Sequence, residues 1–205
     1  MIVLVLIFAA FPFTAVVKAT PPITFEQTLG QGHQQILATR TNQIKAQDEA
    51  MRGRVDKVTR QINALLVEAY FLPDDFILLR RLAEDCQPKC STLNPSLRRD
   101  IAIFTEHLHA LTHNLESARL RVRWLSHIVT KSHNVEWPVW SLALNAYGLN
   151  NSIEFLSPMI LETLPIFRNS GFFAEAQNLY LKNSKGLNSS KKLRSEALEL
   201  LDKTR

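Results

Sequence analysis

The sequence predicts an all-α protein: a long antiparallel helical hairpin, coiled-coil-like, plus a small C-terminal helical bundle. Three observations predict it. Apolar residues recur in alternating steps of three and four over two long stretches. No stretch sustains the every-second-residue alternation of a half-buried strand. Glycine is scarce, at 6 of 205 residues, while 46% of the chain is hydrophobic and 21% charged. That balance belongs to a folded chain, not a disordered one.

The chain opens MIVLVLIFAAFPFTAVVKATPP, with no charge from Met1 to Val17. Val17 and Ala19 are small residues two apart, the pattern a signal peptidase accepts, and Thr20-Pro21-Pro22 cannot continue a helix. The run is short for a bilayer span, which takes about 20 apolar residues, and Pro12 interrupts it. Residues 1–19 are therefore expected to be a signal peptide, and the mature chain to be exported, periplasmic or secreted. The competing reading is an uncleaved signal anchor, in which Lys18 on the downstream flank leaves the body in the cytosol.

Residues 20–134 are expected to form the long hairpin. Its first seam is Leu37, Ile44, Met51, Val55, Val58, Ile62, Leu65, Ala69 and Leu72, with Thr41 and Asp48 in the skipped positions. Gly30, Gly32 and Gly53 weaken it locally, by about 1 kcal/mol each against alanine. Asp48 with Arg52 and Asp56 with Arg60 place acid and base one turn apart. The helix is expected to stop at Phe71-Leu72-Pro73. The second seam is unbroken: Ile101, Phe104, Leu108, Leu111, Leu115, Ala118, Val122, Leu125 and Val129. Asn94 followed by Pro95 reads as its N-cap and first helical residue, with an end near His133.

Between the seams, a short helix from Asp74 to about Glu84 and the turn EDCQPKCS are expected at the hairpin tip. Cys86 and Cys90 are the only cysteines. In an oxidising compartment two thiols this close form a disulfide, and Pro88 favours the turn that brings them together. A zinc site takes four ligands, and no second Cys or His pair lies nearby. A redox pair is more typically C-x-x-C beside a βαβ unit. The disulfide Cys86–Cys90 is expected to be a structural staple.

Residues 135–205 are expected to form the C-terminal bundle, as three or four shorter helices separated at 148–151, 170–171 and 186–190. Trp137, Trp140, Phe155, Ile160 and Phe167 place apolar side chains on more than one side, which suits burial in a compact core.

The net charge of +5, from 24 basic and 19 acidic residues, is mild and scattered, and gives no reason to expect nucleic acid. Arg119, Arg121 and Arg123 form the one dense basic run, but on a helix Arg121 points away from the other two. Glu106, His109, His113 and Glu116 have metal-ligand chemistry at spacings of three, four and three. Their flank is expected to face solvent, so no metal and no cofactor is expected. Glu136 and Glu154 flank the tryptophan-rich segment as a carboxylate pair of the kind that cleaves sugars, a pair any helical chain of this size offers. No nucleophile motif or phosphate loop occurs, so no catalytic residue is assigned. Asn150 and Asn188 begin N-x-S sequons.

Gly171, Ala176 and Tyr180, with Phe167 before them, resemble the latter half of a tetratricopeptide repeat over about 20 residues. Asn183 and Asn188 stand where that repeat has its second alanine and its proline, and no second copy lies 34 residues away. In outline the whole chain resembles the small exported subunits of bacterial type IV secretion pili, which join long helices to a lesser globular part. That resemblance of architecture implies a non-catalytic accessory or structural subunit of a cell-envelope or secretion assembly. Its partners would be other protein subunits or further copies joined through the helical seams, and it would meet membrane only through an uncleaved N-terminal segment. The readings that compete are a membrane-anchored cytosolic adaptor using the tetratricopeptide-like hairpin, and a metal-dependent or glycan-cleaving enzyme.

Overall fold

The computed structural model describes residues 25–88, 90, 94–130 and 133–205, and the expected signal segment 1–19 lies outside them. Four helices account for almost all of the described chain: α1 (Phe25–Asp85), α2 (Leu97–Ile128), α3 (Glu136–Asn169) and α4 (Phe173–Thr204). No strand occurs among the described residues. None of these helices is long and apolar enough to cross a membrane.

The chain divides into two units, residues 1–42 and 43–205. The described part of the first is helical, with exposed side chains from His33 to Asn42. Leu37 is 49% exposed, because this unit contains no other described element to cover it. Both the expected hairpin and the expected C-terminal bundle contribute helices to the second unit.

Within residues 43–205 the first hairpin forms along its second half. Met51, Val55, Val58, Ile62, Leu65, Ala69 and Leu72 are all buried. Every seam residue of α2 from Ile101 to Leu125 is buried, as is Val129 just past its end. Arg54 lies over the Trp124 ring near one end, and the Phe76 and Phe104 rings meet at 5.8 Å near the other, so α1 and α2 run antiparallel. Ile44 is 57% exposed, correcting the first half of the seam. A stripe is buried only where another helix lies beside it, and the buried series on α1 starts at Met51.

Helix α1 does not stop at Pro73, and the expected separate helix 74–84 is its continuation. An interior proline costs about 3 kcal/mol. Beyond it, however, the spacing continues through Phe76, Leu79 and Ala83, all buried. Each large side chain buried there returns roughly 1.5–3 kcal/mol, so packing overrides the local breaker. Helix α2 begins at Leu97, with Ser96 as N-cap rather than Asn94. The Ser96 hydroxyl donates to Asn94 Oδ1 at 3.0 Å, and Pro95 lies in the turn before the helix. Its end comes at Ile128, short of His133, where extended backbone at Val129 breaks the helix. The Thr130 N–H then donates to His133 Nδ1 at 3.1 Å.

Residues 135–205 form two long helices rather than three or four short ones. The expected breaks at 148–151 and 186–190 lie inside helices, while the break at 170–171 is real, with Gly171 at φ 83°. Gly148 turns its empty side to Leu66 of α1; a Cβ there would meet that side chain at 3.5 Å. Asn150 accepts from the Ser190 hydroxyl at 3.1 Å, and Asn183 donates to Ser157 at 2.7 Å. These residues resemble turn formers in sequence, yet here Gly148 lies against α1 and the asparagines and serines fill the interface of α3 with α4.

The hairpins pack on each other. Helix α4 packs against both α3 and α2. Helix α1 meets α3 at Leu66 and Gly148, and at Phe76 and Phe167, whose rings are 6.3 Å apart. The four helices therefore form an up-down-up-down bundle, with α1 and α4 each lying against α2 and α3.

Cys86 and Cys90 are joined by a disulfide, with Cα atoms 4.6 Å apart, and both are buried. This tip of the first hairpin is bonded to the tip of the second. Ser170 Oγ donates to the Ala83 carbonyl at 3.0 Å, and Gln87 Nε2 to the Ile166 carbonyl at 2.9 Å.

Candidate functional site

Helix α3 has two apolar stripes. The inner one, Val139, Leu142, Ala146, Leu149, Ile153, Leu156 and Ile160, is buried in the bundle. The outer one, Trp137, Trp140, Leu144 and Tyr147, has the same three-four spacing turned to solvent, and Phe155 extends it. Their exposures are 73%, 39%, 52%, 45% and 63%. Trp137 and Trp140 stack on each other, ring centroids 5.0 Å apart and nearly parallel. Arg194 of α4 stacks over Tyr147 at 4.6 Å, which holds the ring in place while leaving much of it open.

The sequence expectation that Trp137, Trp140 and Phe155 join the core is thus corrected, whereas Ile160 and Phe167 are buried as expected. One helix in a four-helix bundle buries only the arc facing its neighbours. A second stripe on the same helix has no place inside. Leu144 and Tyr147 completed that stripe and went unrecognised, although their spacing from Trp140 was the available signal.

An apolar groove of about 270 Å³ runs between α1 and α2 near the disulfide tip, lined by Leu79, Leu82 and Phe104 with the exposed Leu78 and Ile103. Asp75, Asp100 and His107 line it as well.

The other sequence candidates scatter. His109 Nδ1 lies 3.3 Å from Lys182 Nζ, and Glu116 is taken up by Arg119 and the Ser189 hydroxyl. Glu106 and His113 stay exposed, and no group of three or more His, Cys, Asp or Glu converges among the described residues. Glu136 and Glu154 pair with Arg205 and Lys191, each at 3.8 Å. Eighteen residues along one helix separate them by about 27 Å, far beyond the spacing of a sugar-cleaving pair.

The basic run divides as well. Arg119, with only 18% of its side chain exposed, bridges Glu116 at 2.6 Å and Glu196 of α4 at 3.1 Å, while Arg121 and Arg123 are exposed. Asn150 is fully buried, so of the two sequons only Asn188 presents its amide to solvent. The tetratricopeptide-like residues lie on a helix pair of 34 and 32 residues, each close to the length of a whole repeat.

No family model matches the chain, and no curated protein or solved structure matches it.

Proposed function

We propose that this chain is a non-catalytic exported helical protein whose work is contact with other proteins, as an accessory or structural subunit of a cell-envelope or secretion assembly. The observation that carries the reading is the outer face of α3, where three aromatic residues and a leucine at helical spacing stand open on a bundle whose inner seams are already filled. Contiguous exposed apolar surface of this kind marks interaction sites, and tryptophan and tyrosine are the residues that anchor them. Export draws support from the apolar opening stretch ending at Ala19 and from the buried disulfide, a bond that persists in oxidising compartments.

A photo-crosslinking residue at Leu144, with one at exposed Arg121 as control, tests the contact in the source cells. Adducts of discrete mass from position 144 and none from 121 are expected. No adduct at 144 overturns the reading. Sequencing of the mature amino terminus tests export: a start at Thr20 with no free thiol is expected. An intact Met1 with two free thiols would instead favour the anchored cytosolic adaptor.

A further inference from the structure

Resting on that reading, the structure also identifies an occupant for the outer face of α3. Leu198 of α4, 44% exposed, stands one turn from Arg194, which stacks over Tyr147, and so extends the face of Trp137, Trp140, Leu144 and Tyr147 onto α4. Taking roughly 200 Å² for each such side chain, their exposures leave about 500 Å² open per copy and about 1,000 Å² for a pair, the lower bound of a specific interface.

We propose that this patch docks on the same patch of a second copy, the two α3 helices running antiparallel about a two-fold axis beside Leu142. Antiparallel seams pair the first apolar position of one heptad with the second of the other. With the axis at Leu142, Trp137 layers with the second copy's Tyr147, and Trp140 with the second copy's Leu144. All four layers are apolar. Sliding the register by one heptad towards the C-terminus would set Trp137 against Glu154 and Trp140 against Asn151, burying a carboxylate and an amide on indole rings at a desolvation cost. Sliding it the other way would set Leu144 and Tyr147 against positions before the start of α3.

Helix α4 agrees with the same axis. The bonds Ser190 to Asn150 and Asn183 to Ser157, with the Glu136–Arg205 pair, run α3 and α4 antiparallel and bring Leu198 level with Leu142. Leu198 then meets its own equivalent, and Arg194 comes opposite the second copy's exposed Asp202, opposite charges across the two-fold. Isologous contacts of this kind close on themselves and give a dimer, not a filament.

Sedimentation equilibrium of the protein, purified from cells expressing the whole gene, tests this from about 1 to about 100 µM, where an interface near the lower size limit dissociates. A monomer–dimer equilibrium is expected. Trp140→Glu should weaken it by about 30-fold or more, the effect of losing a central aromatic anchor, while Phe155→Glu, outside the register, leaves it unchanged. Should Trp140→Glu fail to fold, Leu198→Cys gives a second readout: mild oxidation is expected to link two copies through that position.

A monomer throughout the range overturns the dimer. So does a dimer broken by Phe155→Glu but not by Trp140→Glu. A monomer that instead binds vesicles of anionic phospholipid through the same tryptophans also overturns it, in favour of a membrane surface. Crosslinks from Leu144 to a different protein, with no adduct of twice the chain mass, would leave the contact reading standing and remove this one.

Discussion

The first hairpin buries an almost purely apolar seam: from Val55 to Ala83 on α1 the buried line is aliphatic or aromatic apart from Pro73, and on α2 only Thr105 interrupts it. The second hairpin buries Asn150, Thr163, Asn183, Ser189 and Ser190 among its leucines. Both make helices of more than thirty residues, so polar groups in the core did not shorten the second pair. Bonds between helices account for this: Ser190 to Asn150 and Asn183 to Ser157 join α4 to α3, and Ser189 to Glu116 joins α4 to α2. Buried polar groups are tolerable once bonded, and they fix how two helices register, whereas an apolar seam tolerates sliding.

The difference sets an order of sensitivities. The largest is expected at Phe76, which belongs to the first hairpin yet touches Phe104 in α2 and Phe167 in α3. Phe76→Ala should lower unfolding free energy by about 3–5 kcal/mol, measured by chemical denaturation. A loss under about 1 kcal/mol would mean the hairpins do not share a core at that level. Next is the tip. Replacing Cys86 and Cys90 together by serine should cost about 2 kcal/mol through the entropy of a five-residue loop, seen as a lower denaturant midpoint with unchanged helix content.

Arg119→Met comes third, at about 1–2 kcal/mol, since it strands the more deeply buried Glu196 and leaves Glu116 only the Ser189 hydroxyl, while keeping the aliphatic stem. High salt should leave most of that difference in place, because the Arg119 and Glu196 side chains are only 18% and 21% exposed. The smallest effect has the opposite sign. A Cβ on Gly53 of α1 meets nothing within 4 Å. Gly53→Ala should therefore raise stability by about 0.5–1 kcal/mol, and a loss would show that the helix is not formed there.

The same contrast explains how much was legible in the sequence. The seams from Met51 to Leu72 and from Ile101 to Val129 carry their burial in their spacing, so helices and their pairing follow from a pattern that only Thr105 interrupts. The Cys86–Cys90 disulfide was legible from the four-residue spacing and from Pro88 in the turn between them. Gly148, Asn150, Gly186 and Ser190 misled, because the bonds and close contacts that place them against other helices lie 40 to 82 residues away. Pro73 misled for a related reason: the seam beyond it decides the matter, not the proline. The outer face of α3 was hardest, since Trp137 and Trp140 look like core residues until the bundle shows that the inner side is already full.

Side-chain footprinting with hydroxyl radicals, compared between the isolated protein at nanomolar concentration and the protein in its source cells, tests the central claim most directly. Trp137, Trp140 and Tyr147 should react strongly in the dilute protein and become protected in the cell, with Phe76, Phe104 and Phe167 protected in both. Equal reactivity of the three outer aromatics in the two settings, or their protection in the isolated chain, would contradict the account.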